Sequence, residues 1–190
     1  MAVKVDTQKE IIFGSSDPNV SRVISKMEKD GKLRKVAPRI YTTNLIDSLE
    51  NIVRRNLTDV LVYRYPDALI SHRSVKEMRP TTTGDFFLTG STSRRVTDLP
   101  GISLNFAKGP KATSRDIPFM GMHISGEYRY MLENMQVSRK AGDESRVLPA
   151  SVIENKLEQI LLTGGEDRLN EYRDELRSVA EELGMQTEFA

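Results

Sequence analysis

The chain has no cysteine and no tryptophan among its 190 residues, and only two histidines. The first absence excludes disulfides and cysteine-based zinc sites and leaves a reducing compartment open to the protein. The scarcity of histidine leaves few groups able to exchange protons near neutral pH. Long apolar runs are missing as well, and nothing approaches the ~20 residues needed to span a bilayer. The segment Met1 to Glu10 alternates in charge and lacks the apolar centre of a secretion signal. The expected location is therefore the cytoplasm, with no membrane partner. A net charge of +1 excludes a uniformly basic nucleic-acid coat, and a hydrophobic content of 38% allows one sizeable core, alone or with a small appended module.

What the chain does have is an uneven distribution of charge. Between Val20 and Tyr41 stand seven Lys/Arg and two Asp/Glu, a local charge of +5. Between Ala141 and Ala190 the balance is five against twelve, a local charge of −7. The first stretch suits a polyanion and the second repels one.

The basic stretch has a legible local structure. Ser15-Ser16-Asp17-Pro18 is a helix-start signal: Ser16 or Asp17 can accept from a free terminal N–H, and Pro18 fits the first helical position. Val20, Val23, Ile24 and Met27 follow at helical spacing, and Gly31 stands where a left-handed cap would close the helix near Asp30. Lys32 to Thr43 reads as a β-hairpin bent at Ala37-Pro38-Arg39. With Val20, Ile24 and Met27 turned inward, the helix presents Asn19, Ser21, Arg22, Ser25, Lys26 and Lys29. The hairpin adds Lys32, Arg34, Lys35 and Arg39. Arg and Lys suit phosphates and guanine edges, Asn suits adenine, and Ser suits phosphate oxygens. A solvated surface helix has the same residue types; the adjoining basic hairpin favours DNA.

Beyond this stretch the pattern predicts a helix over Leu49 to Tyr65, a short strand at Ala68 to Ser71 and a brief helix after His72-Arg73-Ser74. Strands are expected at Phe86 to Leu88, Ile102 to Phe106 and Met122 to Ile124, and a helix at Glu127 to Met135. Arg94-Arg95 and Lys108 to Lys111 read as exposed basic loops, and Ser138 to Ser145 as a polar loop. Two closing helices, Pro149 to Leu162 and Glu166 to Leu183, are split by Thr163-Gly164-Gly165. The expected fold class is α+β: a minimal N-terminal winged helix-turn-helix (1–44), a mixed α/β domain (45–140) and an acidic C-terminal helical hairpin (141–190).

The run DPNVSRVISKMEKDGKLRKVAPRIYTTNL resembles the N-terminal winged-helix segment of AbiEi-type antitoxins. The likeness continues through RRNLTDVLVYRYPDALISHRSV, FFLTG, LPGISL and MLENMQVSR. These runs are also similar to the region preceding the catalytic domain of certain bacterial Fic-family proteins, and together they span about Ile11 to Met185. The resemblance implies a transcriptional regulator that represses its own operon through the winged helix and counters a toxin. It places DNA contact at Asn19 to Lys29 and Arg34 to Tyr41, and a homodimer on a palindromic site would be usual for such regulators. The alternative is a non-catalytic interaction module, the front half of a Fic-type AMP-transferase system. No HPFxxGNGR-like run and no Fic inhibitory motif is present. The chain therefore departs from the Fic enzymes at the residues that do their chemistry.

Little else suggests an enzyme. Ser71 or Ser74 beside His72 has the residue types of a nucleophile and its base, but sequence neighbours rarely reach triad geometry. His123 lies in a strand pattern without a spaced carboxylate partner. Thr163-Gly164-Gly165 is too short to cradle a phosphate and is explained by a turn. No catalytic residue, metal or cofactor is expected.

Overall fold

The computed structural model describes residues 5–185. The protein is α+β, and its contacts group into two compact units. One holds residues up to Pro66 together with Val96–Ser103; the other holds Asp67–Arg95 and the chain from Leu104 on. Among the described residues, no helix is long and apolar enough to cross a membrane.

The first unit opens with β1 (Ile11–Phe13), α1 (Pro18–Lys29), β2 (Arg34–Ala37) and β3 (Ile40–Thr42). β3 lies between β1 and β2 and is antiparallel to both. α1 begins and ends where its local chemistry dictates. The Asp17 carboxylate accepts the Asn19 N–H at 2.8 Å, and Pro18 follows as a residue with no N–H to satisfy. At the other end the amides of Gly31 and Lys32 donate to the carbonyls of Glu28 (3.1 Å) and Met27 (2.9 Å). This double closure needs the left-handed φ of +70° that Gly31 supplies. Ile24 is the buried residue of the helix, packed with Ile12 and Leu33 and flanked by Val20 and Met27.

Two helices follow, α2 (Leu49–Arg55) and α3 (Leu57–Arg64), where the apolar spacing predicts one. The break falls at Asn56, at φ −110° and ψ 18°. Its side chain donates to Glu10 at 2.6 Å and to the Ile52 carbonyl at 2.8 Å, a long-range tie that outweighs helix continuity. α3 lies against β1: the Phe13 and Tyr63 rings stack at 4.3 Å, and the Tyr63 hydroxyl donates to the Gly14 carbonyl at 2.8 Å.

The remaining elements are β4 (Leu69–Ile70), α4 (Ser74–Glu77), β5 (Asp85–Gly90), β6 (Arg94–Leu99), β7 (Ile102–Lys108), β8 (Ile117–Phe119), β9 (Met122–Ile124), α5 (Glu127–Asn134) and α6 (Ala150–Leu183). The strands form one sheet in the order β6-β7-β5-β4-β9-β8, with β4 and β9 parallel. Ile102, Leu104 and Phe106 of β7 alternate into the core, as a half-buried strand requires. Arg94-Arg95, expected as loop, is the start of β6. Arg94 lies over the Phe106 ring of neighbouring β7 at 4.1 Å and Arg95 reaches Asp85 of β5 at 3.1 Å, so partners on other strands support a strand that its own polar residues hide. β8 was likewise not expected. It pairs with β9 through a two-residue turn in which Met120 and Gly121 both have positive φ.

α6 contains one non-helical residue, Gly165 at φ 70° and ψ −171°. Ile153, Tyr172, Leu176 and Val179 share one apolar cluster with Met131 and Leu132 of α5. In a straight helix Ile153 and Val179 would lie about 39 Å apart, so the two arms fold back on each other at the glycine.

Candidate nucleic-acid interface

At 100° per residue, Asn19, Arg22, Ser25, Lys26 and Lys29 fall within an arc of about 120° on α1, opposite Val20, Ile24 and Met27. All five are exposed. The structure therefore brings five of the six helix positions named from the sequence onto one face. Ser21 lies outside this arc, and its hydroxyl donates to the Ser15 carbonyl at 2.7 Å. On the hairpin, Lys35 and Arg39 are exposed. Arg34 turns back and donates to the carbonyl of Asp47, which fastens β2 to the loop before α2.

Charge pairing separates this surface from the rest of the unit. Arg22, Lys26, Lys29, Lys35 and Arg39 form no ion pair among the described residues. The arginines of α2 and α3 are all taken: Arg54 by Glu50 at 3.0 Å, Arg55 by Asp47 at 2.7 Å and by Glu10, and Arg64 by Asp98 at 2.6 Å. The paired carboxylates of the unit, Glu10, Asp47, Glu50 and Asp98, hold the arginines of α2 and α3 and none of the cations of α1 and the hairpin named above.

Beside the start of α1 is an open cleft of about 590 Å³, lined by Gly14, Ser15, Ser16, Pro38, Arg39, Tyr63 and Arg64. Sequence reading used Ser15 and Ser16 only as helix-start signals; their place at the cleft depends on Tyr63 and Arg64, some 48 positions away. The turn at Pro38-Arg39 is held over this cleft by the Gly14 amide, which donates to the Arg39 carbonyl at 2.7 Å. A Cβ on Gly14 would stand 2.9 Å from the Arg39 Cβ, so glycine is what permits the approach. Arg39 has φ +61°, a left-handed conformation unfavourable for a side-chain-bearing residue by about 1 kcal/mol. Arg39→Gly should raise unfolding stability by about that amount; an unchanged or lower denaturation midpoint would show that Arg39 makes a compensating contact.

The scaffold beneath this surface is tied at Glu10. Its carboxylate receives Arg55, Asn44 Nδ2 at 3.0 Å and Asn56 Nδ2 at 2.6 Å. The Arg55 hydrogen bond is the main cause that draws the Glu10 pKa down to about 2, with the two asparagines assisting against partial desolvation. A carboxylate depressed in the folded state stabilises it fully above the unfolded value near 4.5, and that contribution is lost as pH falls towards 2. Glu10→Gln should therefore remove part of the acid limb of unfolding between pH 4.5 and 2 for the first unit, read by tyrosine fluorescence. An unaltered limb would reject this assignment.

The second unit buries a cluster of polar residues. Ser71 Oγ lies 2.9 Å from His72 Nδ1, so the pair named from the sequence does meet. Both are buried, and Glu133 accepts the His72 backbone amide at 3.0 Å instead of orienting its imidazole. Burial, with the nearby cations Arg146 and Arg129, lowers the His72 pKa to about 3 and keeps the ring neutral. Glu133 also accepts the Ser125 hydroxyl at 2.8 Å and pairs with Arg129 at 3.1 Å. This arrangement joins β4, β9 and α5 as a structural knot. Among the described residues, no group of three or more His, Asp or Glu side chains is placed to hold a metal ion. His123 sits in β9 opposite Leu69, partly exposed.

Comparison with family models, with curated proteins and with solved structures yields no match to this chain.

Proposed function

We propose that the chain is a DNA-binding transcriptional regulator of the antitoxin type, acting on the promoter of its own operon. The carrying observation is the unpaired basic arc of α1 beside the equally unpaired Lys35 and Arg39. Three further features support this reading. In the chain α1 falls between β1 and a β2–β3 hairpin, with sheet order β1-β3-β2, an order compatible with a helix flanked by a wing. The cleft at the helix start carries the Ser15 and Ser16 side chains beside Arg39, polar groups that suit a backbone phosphate. The stacking of α3 on β1 braces the strand whose Ile12 packs against Ile24 of α1.

In this reading Arg22, Ser25 and Lys26, with Asn19 at the edge, face the major groove. Lys29, Lys35 and Arg39 meet phosphates. The test is an electrophoretic shift on the DNA upstream of the chain's own gene at two salt concentrations. Arg22→Ala with Lys26→Ala should weaken binding by roughly ten- to a hundredfold and lower the slope of log affinity against log salt by about 1–2. Arg39→Gly provides a second arm, because it removes a phosphate contact while relaxing the turn. A folded double variant with unchanged affinity and slope would overturn the proposal.

A further inference from the structure

α5 and the two arms of α6 do not close completely on one another. Leu132 of α5, Leu157 of the first arm, and Leu169 and Leu176 of the second help enclose a cavity of about 120 Å³. Its walls are mostly apolar, and it has room for about one six-membered ring. Filling it from within would take only a larger side chain, and an unfilled void forfeits packing contacts. The cavity nevertheless persists between α5 and the arms of α6, open towards the exposed Arg173 and Arg177.

Met135, Tyr172 and two arginines complete the lining, with Arg173 and Arg177 on successive turns of the second arm. Arg177 pairs with Asp174 at 3.0 Å. Arg173 is exposed and forms no ion pair among the described residues, although the same arm carries several carboxylates. The ionised groups of the lining are therefore both cations. A guanidinium on the rim of an apolar space matches a ligand with a compact apolar body and one carboxylate, because its planar fork binds carboxylate oxygens in pairs.

We infer that this cavity binds a small monocyclic aromatic carboxylate, with the ring between Leu132, Leu157, Leu169 and Leu176 and the carboxylate on Arg173. The site lies in the second unit and does not rest on the DNA reading.

Benzoate, benzene and benzylammonium, each titrated into the full chain with labelled leucine methyls, test the assignment by NMR. Benzoate should shift the methyls of these four leucines saturably and at lower concentration than benzene, and benzylammonium should not shift them. Arg173→Ala, at an exposed position where the fold is not at risk, should weaken benzoate about tenfold, the loss of one charge-assisted hydrogen bond. It should leave benzene unchanged. Leu157→Phe should block both by occupying the space. Equal binding of benzoate and benzene with no effect of Arg173→Ala would reduce the site to an apolar void and overturn the inference. Absence of any methyl shift would overturn it too.

Discussion

Arg129→Met should destabilise the second unit by about 3–5 kcal/mol, the usual consequence of removing one partner from a buried ion pair. The guanidinium side chain is 3% exposed and bridges Asp116 at 3.0 Å and Glu133 at 3.1 Å. It also donates to the backbone carbonyls of Lys111 (3.1 Å) and Pro110 (2.7 Å). Methionine would approximate its length and none of its hydrogen bonds, stranding two carboxylates in the interior. Asp116 would keep the Gly126 amide at 2.9 Å, and Glu133 would keep Ser125 and the His72 amide, but neither carboxylate would retain a countercharge.

Two controls make the prediction specific. Burial already raises the Glu133 pKa, against the opposing pull of Arg129. Without Arg129 it must rise further, so the folded variant takes up a proton more readily than its unfolded chain. The deficit should then be largest at high pH and shrink as pH falls through that raised value. Adding Asp116→Asn and Glu133→Gln to Arg129→Met should recover a substantial part of the loss, since a neutral trio strands no charge. Urea unfolding at two pH values measures both. A loss below about 1 kcal/mol would mean that water reaches the site and the pair behaves like an exposed one.

Ile24→Ala should cost about 2–5 kcal/mol and loosen α1 before the rest of its unit. Ile24 is 2% exposed and is the one fully buried residue of the helix. Ile12 and Leu33, which flank α1 in sequence, pack against it, so the truncation opens a hole where the helix meets β1 and the hairpin. Amide exchange should accelerate most within Pro18–Lys29. Uniform acceleration across the unit would show instead that α1 and α3 unfold together.

The contrast between these two sites explains what could be read from sequence. α1 was legible to within a residue because everything that defines it is local: Asp17 and Pro18 at one end, Gly31 at the other, apolar residues at helical spacing between. Its exposed arc follows from the same spacing. The Asn56 break was not legible, because its cause is Glu10, 46 positions away. β6 was hidden for a similar reason. Its residues are polar, and what holds Arg94 and Arg95 in place are Phe106 and Asp85 on other strands. The destination of Arg34 could not be foreseen either; a basic residue on a hairpin reads as a phosphate ligand until the loop at Asp47 is seen to capture it. The Arg129 knot left no signal beyond a helical Arg-x-x-x-Glu spacing, which also occurs on solvated faces. Its burial depends on carbonyls from Pro110 and Lys111, a loop that reads as solvent-facing charge.

The positions of β6 and β8 bear on behaviour at high concentration. They are the two margins of the six-stranded sheet, the places where another chain could add by backbone hydrogen bonding. On β8, Pro118 pairs with His123 one step from the Phe119–Met122 pair that closes the hairpin. Ladder alternation turns the nitrogen of that position outward, and in proline it carries no hydrogen to offer. On β6, Arg94, Arg95 and Asp98 are exposed along the margin. One rim withholds a donor and the other carries charge, so the sheet has a built-in resistance to edge-to-edge aggregation.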